Sequence, residues 1–231
     1  MSIAENIARI EERILNACNK AGRKRDEVTL MGVSKFVPVE QIKEAYHAGI
    51  RCFGESRVKE AADKFDVLKN EMPCVRLNLI GSLQRNKAKQ AALLVDCIQS
   101  VDRDELIEEL VKYSPLRKEP LEILLELRTG EETKSGYESL EGLFHAAELV
   151  MKSDNLKLAG LMTMAPFTTD SDVIRSSFRQ LVNAQKELEK RFPPKENWAC
   201  LSMGMSNDFE IAIQEGSNML RIGTVIFKEQ G

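Results

Sequence analysis

Residues 28–54 read VTLMGVSKFVPVEQIKEAYHAGIRCFG, and this stretch shows the pattern that decides the fold. A short apolar run rich in β-forming residues (28–34) precedes a helical pattern over 39–48, which ends at Gly49. A second apolar run, 50–54, follows directly. The stretch therefore predicts a strand, a helix and a second strand in succession.

The same order recurs to the end of the chain. The apolar runs that predict strands span residues 28–34, 50–54, 75–81, 95–100, 121–127, 156–162, 198–203 and 218–223. The helical patterns that follow them span residues 39–48, 56–69, 83–92, 103–113, 138–152, 170–191 and 207–215. Strands that alternate with helices predict a parallel sheet with crossover helices, and therefore an α/β protein.

Eight such units in 231 residues predict one (β/α)8 barrel of the TIM type, a single domain over residues 1–231. Apolar residues at helical spacing over 2–22 add an N-terminal amphipathic helix before the first strand. A doubly wound open sheet is the main alternative. That fold usually carries a glycine-rich phosphate loop after its first strand, and VSKFVP (33–38) is not such a loop.

The composition argues against several classes of function. Thirty-three Lys and Arg against 36 Asp and Glu give a net charge of −3, so no nucleic-acid partner is expected. No run of about 18 apolar residues is present, and the N-terminus lacks the apolar stretch of a secretory signal, so no membrane association is expected. Five widely spaced cysteines without a C-x-x-C pair favour a reduced, cytoplasmic protein without structural zinc.

Lys35 is the most informative residue at the predicted strand ends, where (β/α)8 barrels concentrate their chemistry. It directly follows the first strand, so we expect its ammonium at a partly desolvated barrel mouth. Desolvation lowers the pKa of a lysine and makes its amine a nucleophile toward aldehydes. A lysine whose side chain simply reaches solvent at a strand end is the alternative.

The last two loops predict a phosphate site. Ser206 lies where a helix N-cap is expected, and Gly223 and Thr224 end the eighth strand. In (β/α)8 barrels the loops after strands seven and eight commonly hold phosphate through backbone N–H groups. Asp208, in the following turn, would compete for the positive end of the helix. The alternative is that Ser206 only caps its helix and Gly223 only ends a strand.

Arg221, on strand eight, is expected to face the barrel mouth or interior. An unpaired buried guanidinium is costly, so it must meet an anion, a polar ring atom or a carboxylate, and Glu55 is one candidate. Strands one and eight adjoin in a closed barrel, which makes Lys35, Arg221 and the phosphate loops neighbours. A phosphate-bearing aldehyde fits all three, and pyridoxal 5′-phosphate (PLP) and some sugar phosphates are such molecules.

Seven segments of the chain match one family in order and at consistent spacing, from Val33 to Phe227. They are VSKF (33–36), FGESRVKE (53–60), IGSLQRNK (80–87), ETKSG (132–136), GLMTM (160–164), LSMGMSNDFEIAIQEGS (201–217) and RIGTVIF (221–227). Together they resemble the pyridoxal phosphate homeostasis proteins, the short relatives of the alanine racemase barrel. The resemblance implies a PLP fold type III barrel that buffers or delivers the cofactor in vitamin B6 homeostasis, with little or no catalysis.

The resemblance also implies roles for individual residues. Lys35 would hold PLP as a Schiff base, and Arg221 would lie near the pyridine nitrogen. Lys87 and Lys134 would lie near the mouth without touching the cofactor. The residues implied in cofactor binding are Lys35, Ser56, Ser202, Met203, Ser206, Arg221, Gly223 and Thr224, of which Ser206, Gly223 and Thr224 would hold the phosphate.

The chain departs from the family pattern at two positions. Ser56 stands where the family usually has Asn, a contact to the ring substituents, and the shorter serine puts that contact in doubt. Asn78 stands on strand three where family members tend to carry His. These departures affect the details of ring binding and not the Schiff base.

An amino-acid racemase of the alanine racemase type is the first alternative function. Racemisation needs one base on each face of the substrate, and Lys35 supplies one. Tyr46 and Tyr113 fall in helical patterns, which leaves Tyr137 to supply the other. Alanine racemases take that tyrosine across a dimer that depends on a second, β-rich domain, and the predicted barrel leaves no residues for such a domain. We therefore expect a monomeric carrier or regulator of PLP that meets apoenzymes transiently.

Two further alternatives stay open. A class I aldolase also combines a barrel, a Schiff-base lysine and a phosphate site, but such enzymes usually place the lysine on a middle strand. Strand six here ends in Met162, Thr163 and Met164, without a lysine. An interaction protein without a cofactor is the third alternative, and it requires Lys35 to be unreactive.

Overall fold

Eight parallel strands close into one barrel in the computed structural model, which describes residues 2–130, 135–192 and 199–228. Strand order follows the chain, from β1 beside β2 round to β8 beside β1. The strands are β1 (Thr29–Val33), β2 (Cys52–Glu55), β3 (Arg76–Leu79), β4 (Cys97–Val101), β5 (Leu121–Glu126), β6 (Leu156–Met162), β7 (Cys200–Ser202) and β8 (Met219–Ile222). The predicted (β/α)8 fold is confirmed.

Helices surround the barrel in the order that the sequence pattern indicates. They are α1 (Ile3–Lys20), α2 (Val39–His47), α3 (Val58–Glu71), α4 (Ala88–Leu94), α5 (Asp104–Tyr113), α6 (Leu140–Met151), α7 (Ser171–Arg191), α8 (Phe209–Gln214) and α9 (Thr224–Phe227). Helix α9 was not predicted, because its four residues begin directly after β8 and are too few to show a helical period. None of the helices described is long and apolar enough to cross a membrane.

The additional N-terminal helix packs against α8, α9 and α2. Ser2 and Glu5 form a capping box at its start, and a stripe of buried isoleucines (Ile3, Ile7, Ile10, Ile14) faces the core. The buried side chain of Asn6 donates from Nδ2 to the carbonyl oxygen of Ile226, at 3.0 Å. Helix α1 therefore braces α9, and with it the end of β8.

Register places the ends of β1 and β8 side by side. Gly32 pairs with Ile222 across the two strands, so Val33 and Gly223 come next at the same edge. Gly223 has no side chain, and a Cβ there would lie 3.1 Å from the carbonyl oxygen of Val33. This close approach allows the loops that follow β1 and β8 to leave the barrel from one point.

Candidate functional site

Lys35 lies two residues beyond the end of β1, in the turn that leads to α2. Its side chain is exposed, so the expected partial desolvation is wrong. The reason is that β1 ends at Val33 and only Ser34, which is buried, separates it from Lys35, so Lys35 lies outside the barrel wall. A primary amine therefore stands at the mouth beside the end of β8.

Glu55, at the end of β2, is fully buried but does not pair with Arg221 as expected. Its Oε1 atom accepts hydrogen bonds from Ser34 Oγ at 2.7 Å and from Lys64 Nζ at 3.2 Å. Burial raises the pKa of this carboxyl, while Ser34 and Lys64 oppose the rise. Glu55 therefore helps to hold the segment next to Lys35 through Ser34. Its other partner, Lys64, lies on α3 and could not be identified from strand patterns.

Arg221 points into the barrel interior and is almost fully buried. Its Nη1 donates to the carbonyl oxygen and the Oγ of Ser202, and its Nη2 donates to the carbonyl oxygen of Thr163, all at 2.7 Å. Burial lowers the pKa of the guanidinium to about 10, and the charges of Asp208 and Glu126 oppose that effect. The group is thus a fixed positive charge at neutral pH, held by two neighbouring strand ends.

A chain of polar side chains continues from Arg221 across the barrel. Ser202 Oγ donates to Gln99 Oε1 at 2.7 Å, and Gln99 Nε2 donates to Asn78 Oδ1 at 3.0 Å. Asn78 Nδ2 in turn donates to the carbonyl oxygen of Phe53 at 3.3 Å. Ser202, Gln99 and Asn78 are all buried, so these bonds satisfy groups that water does not reach. The asparagine at position 78 is accommodated by Gln99, which sequence reasoning did not single out.

The loop after β7 differs from the expectation at its helix cap. Asp208, not Ser206, is the N-cap of α8, and its Oδ1 accepts from the backbone N–H of Met205. Burial raises the pKa of this aspartate, and the bond from Met205 opposes the rise. Ser206 is left partly exposed, and it lines a cleft of about 640 Å³ together with Arg9 and Arg13 of α1. These two arginines are a feature that the sequence analysis missed.

The other implied residues divide between the mouth and the core. Thr224 is exposed at the start of α9, Gly223 is half-buried, and Ser56 is half-buried after β2. Met203 is fully buried in the main hydrophobic core. Lys87 is exposed in the loop after β3. Lys134 and the first residue of the strand predicted from 198 lie outside the described residues.

Two carboxylates lie at neighbouring strand ends. Glu126 ends β5 and is 3% exposed, and Asp102 follows β4. Burial raises the pKa of Glu126 to about 7, the charge of Asp102 adds to the rise, and Arg221 opposes it. Side-chain burial at a strand end has no local sequence signature, so only the closed barrel reveals this group.

The raised pKa of Glu126 predicts a pH-dependent stability. With an ordinary pKa of 4.5 in the unfolded chain and about 7 in the folded protein, folding takes up a proton between these values. The stability from this group is present below the lower value and is lost as pH rises to the upper one, by about 3 kcal/mol.

Glu126→Gln, which stays neutral, is expected to remove that decline. Urea denaturation at a series of pH values across the window should show the variant gaining stability relative to the wild type as pH rises. The exposed Glu119→Gln serves as the matched control and should follow the wild-type profile. A constant difference between Glu126→Gln and wild type over the whole window would contradict the assignment.

Tyr137, the remaining candidate for a second base, is buried and bound away from a base role. Its hydroxyl donates to Asp104 Oδ1 at 2.8 Å, and His145 Nδ1 pairs with the other oxygen of Asp104 at 2.7 Å. Burial and the neighbouring Asp104 both raise the pKa of the tyrosine. Its phenol therefore stays protonated and anchors the segment before α6 to α5.

The cysteines form no metal site or disulfide in the described part of the chain. Cys52, Cys97 and Cys200 line a cavity of about 210 Å³ within the barrel, and all five cysteines are free. Burial raises the pKa of Cys52 and of Cys200 to about 12, so these thiols stay protonated. Across residues 2–130, 135–192 and 199–228, no group of three or more His, Cys, Asp or Glu is placed to hold a metal ion.

Comparison with known proteins identifies the family. The family model described as the N-terminal domain of alanine racemase matches residues 5–230. A pyridoxal phosphate homeostasis protein from Aquifex aeolicus is 39% identical over 233 aligned positions, which cover 100% of this chain and 99% of that protein. The chain belongs to the pyridoxal phosphate homeostasis protein family. The resemblance inferred from the seven segments is confirmed.

Further members of the pyridoxal phosphate homeostasis protein family agree over the same length. The protein of that name from Vibrio cholerae is 40% identical, and the match covers 99% of this chain and 97% of that protein. A solved structure of PipY from Synechococcus elongatus with PLP bound is 30% identical with a TM-score of 0.84. The alignment covers 98% of this chain and 100% of PipY. The family therefore shares the whole barrel described here.

Proposed function

We propose that this chain binds PLP as a Schiff base on Lys35 and buffers or delivers the cofactor in the cytoplasm, with little or no catalysis. The observation that carries the proposal is the exposed amine of Lys35 at the end of β1, beside Gly223 and Thr224 at the end of β8. A relative over the full barrel length, PipY, has been solved with PLP bound. When bound, PLP supplies an aldehyde that combines reversibly with primary amines, with loss of water.

The residues present fit a phosphate at the β8 end of the mouth. Gly223 carries no side chain, and a Cβ at this position would meet Val33. Without a side chain, its main chain can approach an anion closely. Thr224 begins α9 and offers a hydroxyl, and Ser206 offers a second one from the loop before α8. We propose that Ser206, Gly223 and Thr224 hold the phosphate, while Ser56 and Met203 line the site.

Arg221 favours simple proton exchange over transamination. Its guanidinium, fixed by Ser202 and Thr163, has only donors, so it cannot accept a hydrogen bond from a protonated pyridine nitrogen. A pyridine nitrogen that faces such a donor stays unprotonated, which weakens the electron sink that most amino-acid chemistry requires. With the hydroxyl of Tyr137 engaged by Asp104, we propose that no second base faces Lys35 for racemisation.

The proposal is tested by titrating the purified protein with PLP and following its visible absorbance. A yellow band that borohydride bleaches, with a pyridoxyl adduct mapped by mass spectrometry to the peptide containing Lys35, is the expected result. Solvent deuterium at the α-carbon of alanine should not accumulate above the rate with free PLP, whereas transfer of PLP to an apoenzyme should restore that enzyme's activity. A colourless protein after PLP addition, or an adduct on another lysine, would contradict the proposal.

The oligomeric state is tested separately. We propose a monomer that meets apoenzymes only transiently, and sedimentation with and without PLP should give one species of about the chain mass of 26.1 kDa. A stable dimer would instead favour a racemase-like assembly.

A further inference from the structure

A largely buried lysine on α3, Lys64, contacts the turn that carries Lys35. Lys64 Nζ donates to the carbonyl oxygen of Ser34 at 2.8 Å, to Glu55 Oε1 at 3.2 Å and to Glu60 Oε1 at 2.6 Å. Its side chain is only 12% exposed, and that of Glu55 is fully buried. These three acceptors use all three N–H donors of the ammonium, so the Lys64 side chain is fixed in this position.

Glu60 extends the same ion pair to the other side of Lys35. Its Oε1 atom, besides binding Lys64, accepts the backbone N–H of Phe36 at 2.6 Å. The peptide groups before and after Lys35 are thus both held from α3, one by the cation and one by the anion of a single pair. Glu60 and Lys64 are four residues apart on the helix, which places them on one face.

The backbone of Phe36 adopts an unfavourable conformation at the point where Glu60 binds it. Its φ angle is +61°, a left-handed conformation that a bulky residue adopts at an energetic cost. Its ring is 72% exposed, so burial of the ring does not offset that cost. The hydrogen bond from its backbone N–H to Glu60 ties this turn to α3.

We infer that Lys64 and Glu60 are positioning residues that fix the turn on both sides of Lys35 so that its amine is presented to the aldehyde of PLP. The inference rests on the proposed function and adds to it two residues outside the predicted site. A lysine side chain has four rotatable bonds, and a turn that also moved would add backbone freedom to be lost on each binding event. Fixing the turn in advance lowers that cost and speeds capture.

The decisive variant is Glu60→Ala, which releases Phe36 and leaves Lys64 with Ser34 and Glu55. Mixed with PLP in a stopped-flow spectrophotometer, it should form the yellow band about tenfold more slowly than the wild type and bind PLP about tenfold more weakly, on the scale of one charge-assisted hydrogen bond. Glu60→Gln keeps an oxygen for the Phe36 N–H and should recover most of the loss. Lys64→Met should show a loss of the same size.

Matched controls are available on the same helix. Lys59→Met and Asp63→Asn remove one positive and one negative charge from exposed positions of α3, and both should behave as wild type. Urea denaturation of every apo variant separates positioning from global loss of fold. Since Lys64→Met also leaves buried Glu55 without its cation, it is expected to be less stable, so Glu60→Ala and its glutamine rescue carry the comparison.

The outcomes separate this inference from the proposed function. Equal rates and affinities in Glu60→Ala, Lys64→Met and Lys59→Met would overturn the positioning role while the wild-type adduct on Lys35 stood. Equal losses in Glu60→Ala and Glu60→Gln would also overturn it, because the Phe36 bond would then be irrelevant. A wild-type protein that forms no adduct on Lys35 would overturn the proposed function and this inference together.

Discussion

Lys35→Ala is expected to abolish the visible band that forms with PLP and to weaken PLP binding at least about a hundredfold, or about 2.7 kcal/mol. The reason is that the proposed covalent attachment uses one amine, and the turn after β1 holds only this lysine. What remains in the variant is noncovalent binding of the phosphate and ring. Absorbance and fluorescence titrations with PLP measure the two effects independently.

Lys87→Ala is the matched control for that substitution. Lys87 is also exposed and also follows a strand end, after β3, but it lies outside the proposed contacts with the cofactor. Its variant should keep the yellow band and the borohydride-trapped adduct on Lys35. A band that survives in Lys35→Ala at wild-type intensity would show that another lysine holds the aldehyde, and the site would have to move.

The sequence was sufficient for the parts of the site that follow from local periodicity. Apolar runs separated by helical patterns predict strand ends, and these placed Lys35 after β1 and Gly223 after β8. That β1 and β8 are neighbours follows from closure of the barrel alone, and the observed pairing of the two strands agrees with it. The fold and the general position of the candidate residues could therefore be predicted before any contact was known.

Side-chain partners could not be predicted, because they depend on angles and distances across the barrel. Glu55 pairs with Lys64 of α3, whereas the sequence analysis named it as one candidate partner of Arg221. The N-cap of α8 is Asp208 and not the predicted Ser206, because the loop makes an additional turn before the helix begins. Burial of Glu126 likewise depends on barrel closure, since its sequence neighbours on β5 alternate between the two faces.

Arg221→Met is expected to lower the free energy of unfolding by about 3 kcal/mol. The guanidinium donates to the Thr163 carbonyl and the Ser202 hydroxyl, and both residues are fully buried, so water cannot replace the lost donor. Part of the loss is offset, because the methionine removes the cost of burying a charge. The effect should be present without PLP, which separates it from any role in cofactor binding.

Urea denaturation of the apo protein measures this loss, with the slope of the transition as a check that the variant still unfolds in one step. Arg85→Met is the matched control, because Arg85 is exposed and its ion pair with Glu109 spans 3.5 Å, so its loss should change stability by less than about 0.5 kcal/mol. An Arg221→Met variant as stable as that control would show that Thr163 and Ser202 do not depend on the guanidinium. The role of Arg221 would then be limited to ligand binding. The hydrogen bonds from Ser202 to Gln99 and from Gln99 to Asn78 would have to hold the strand ends without it.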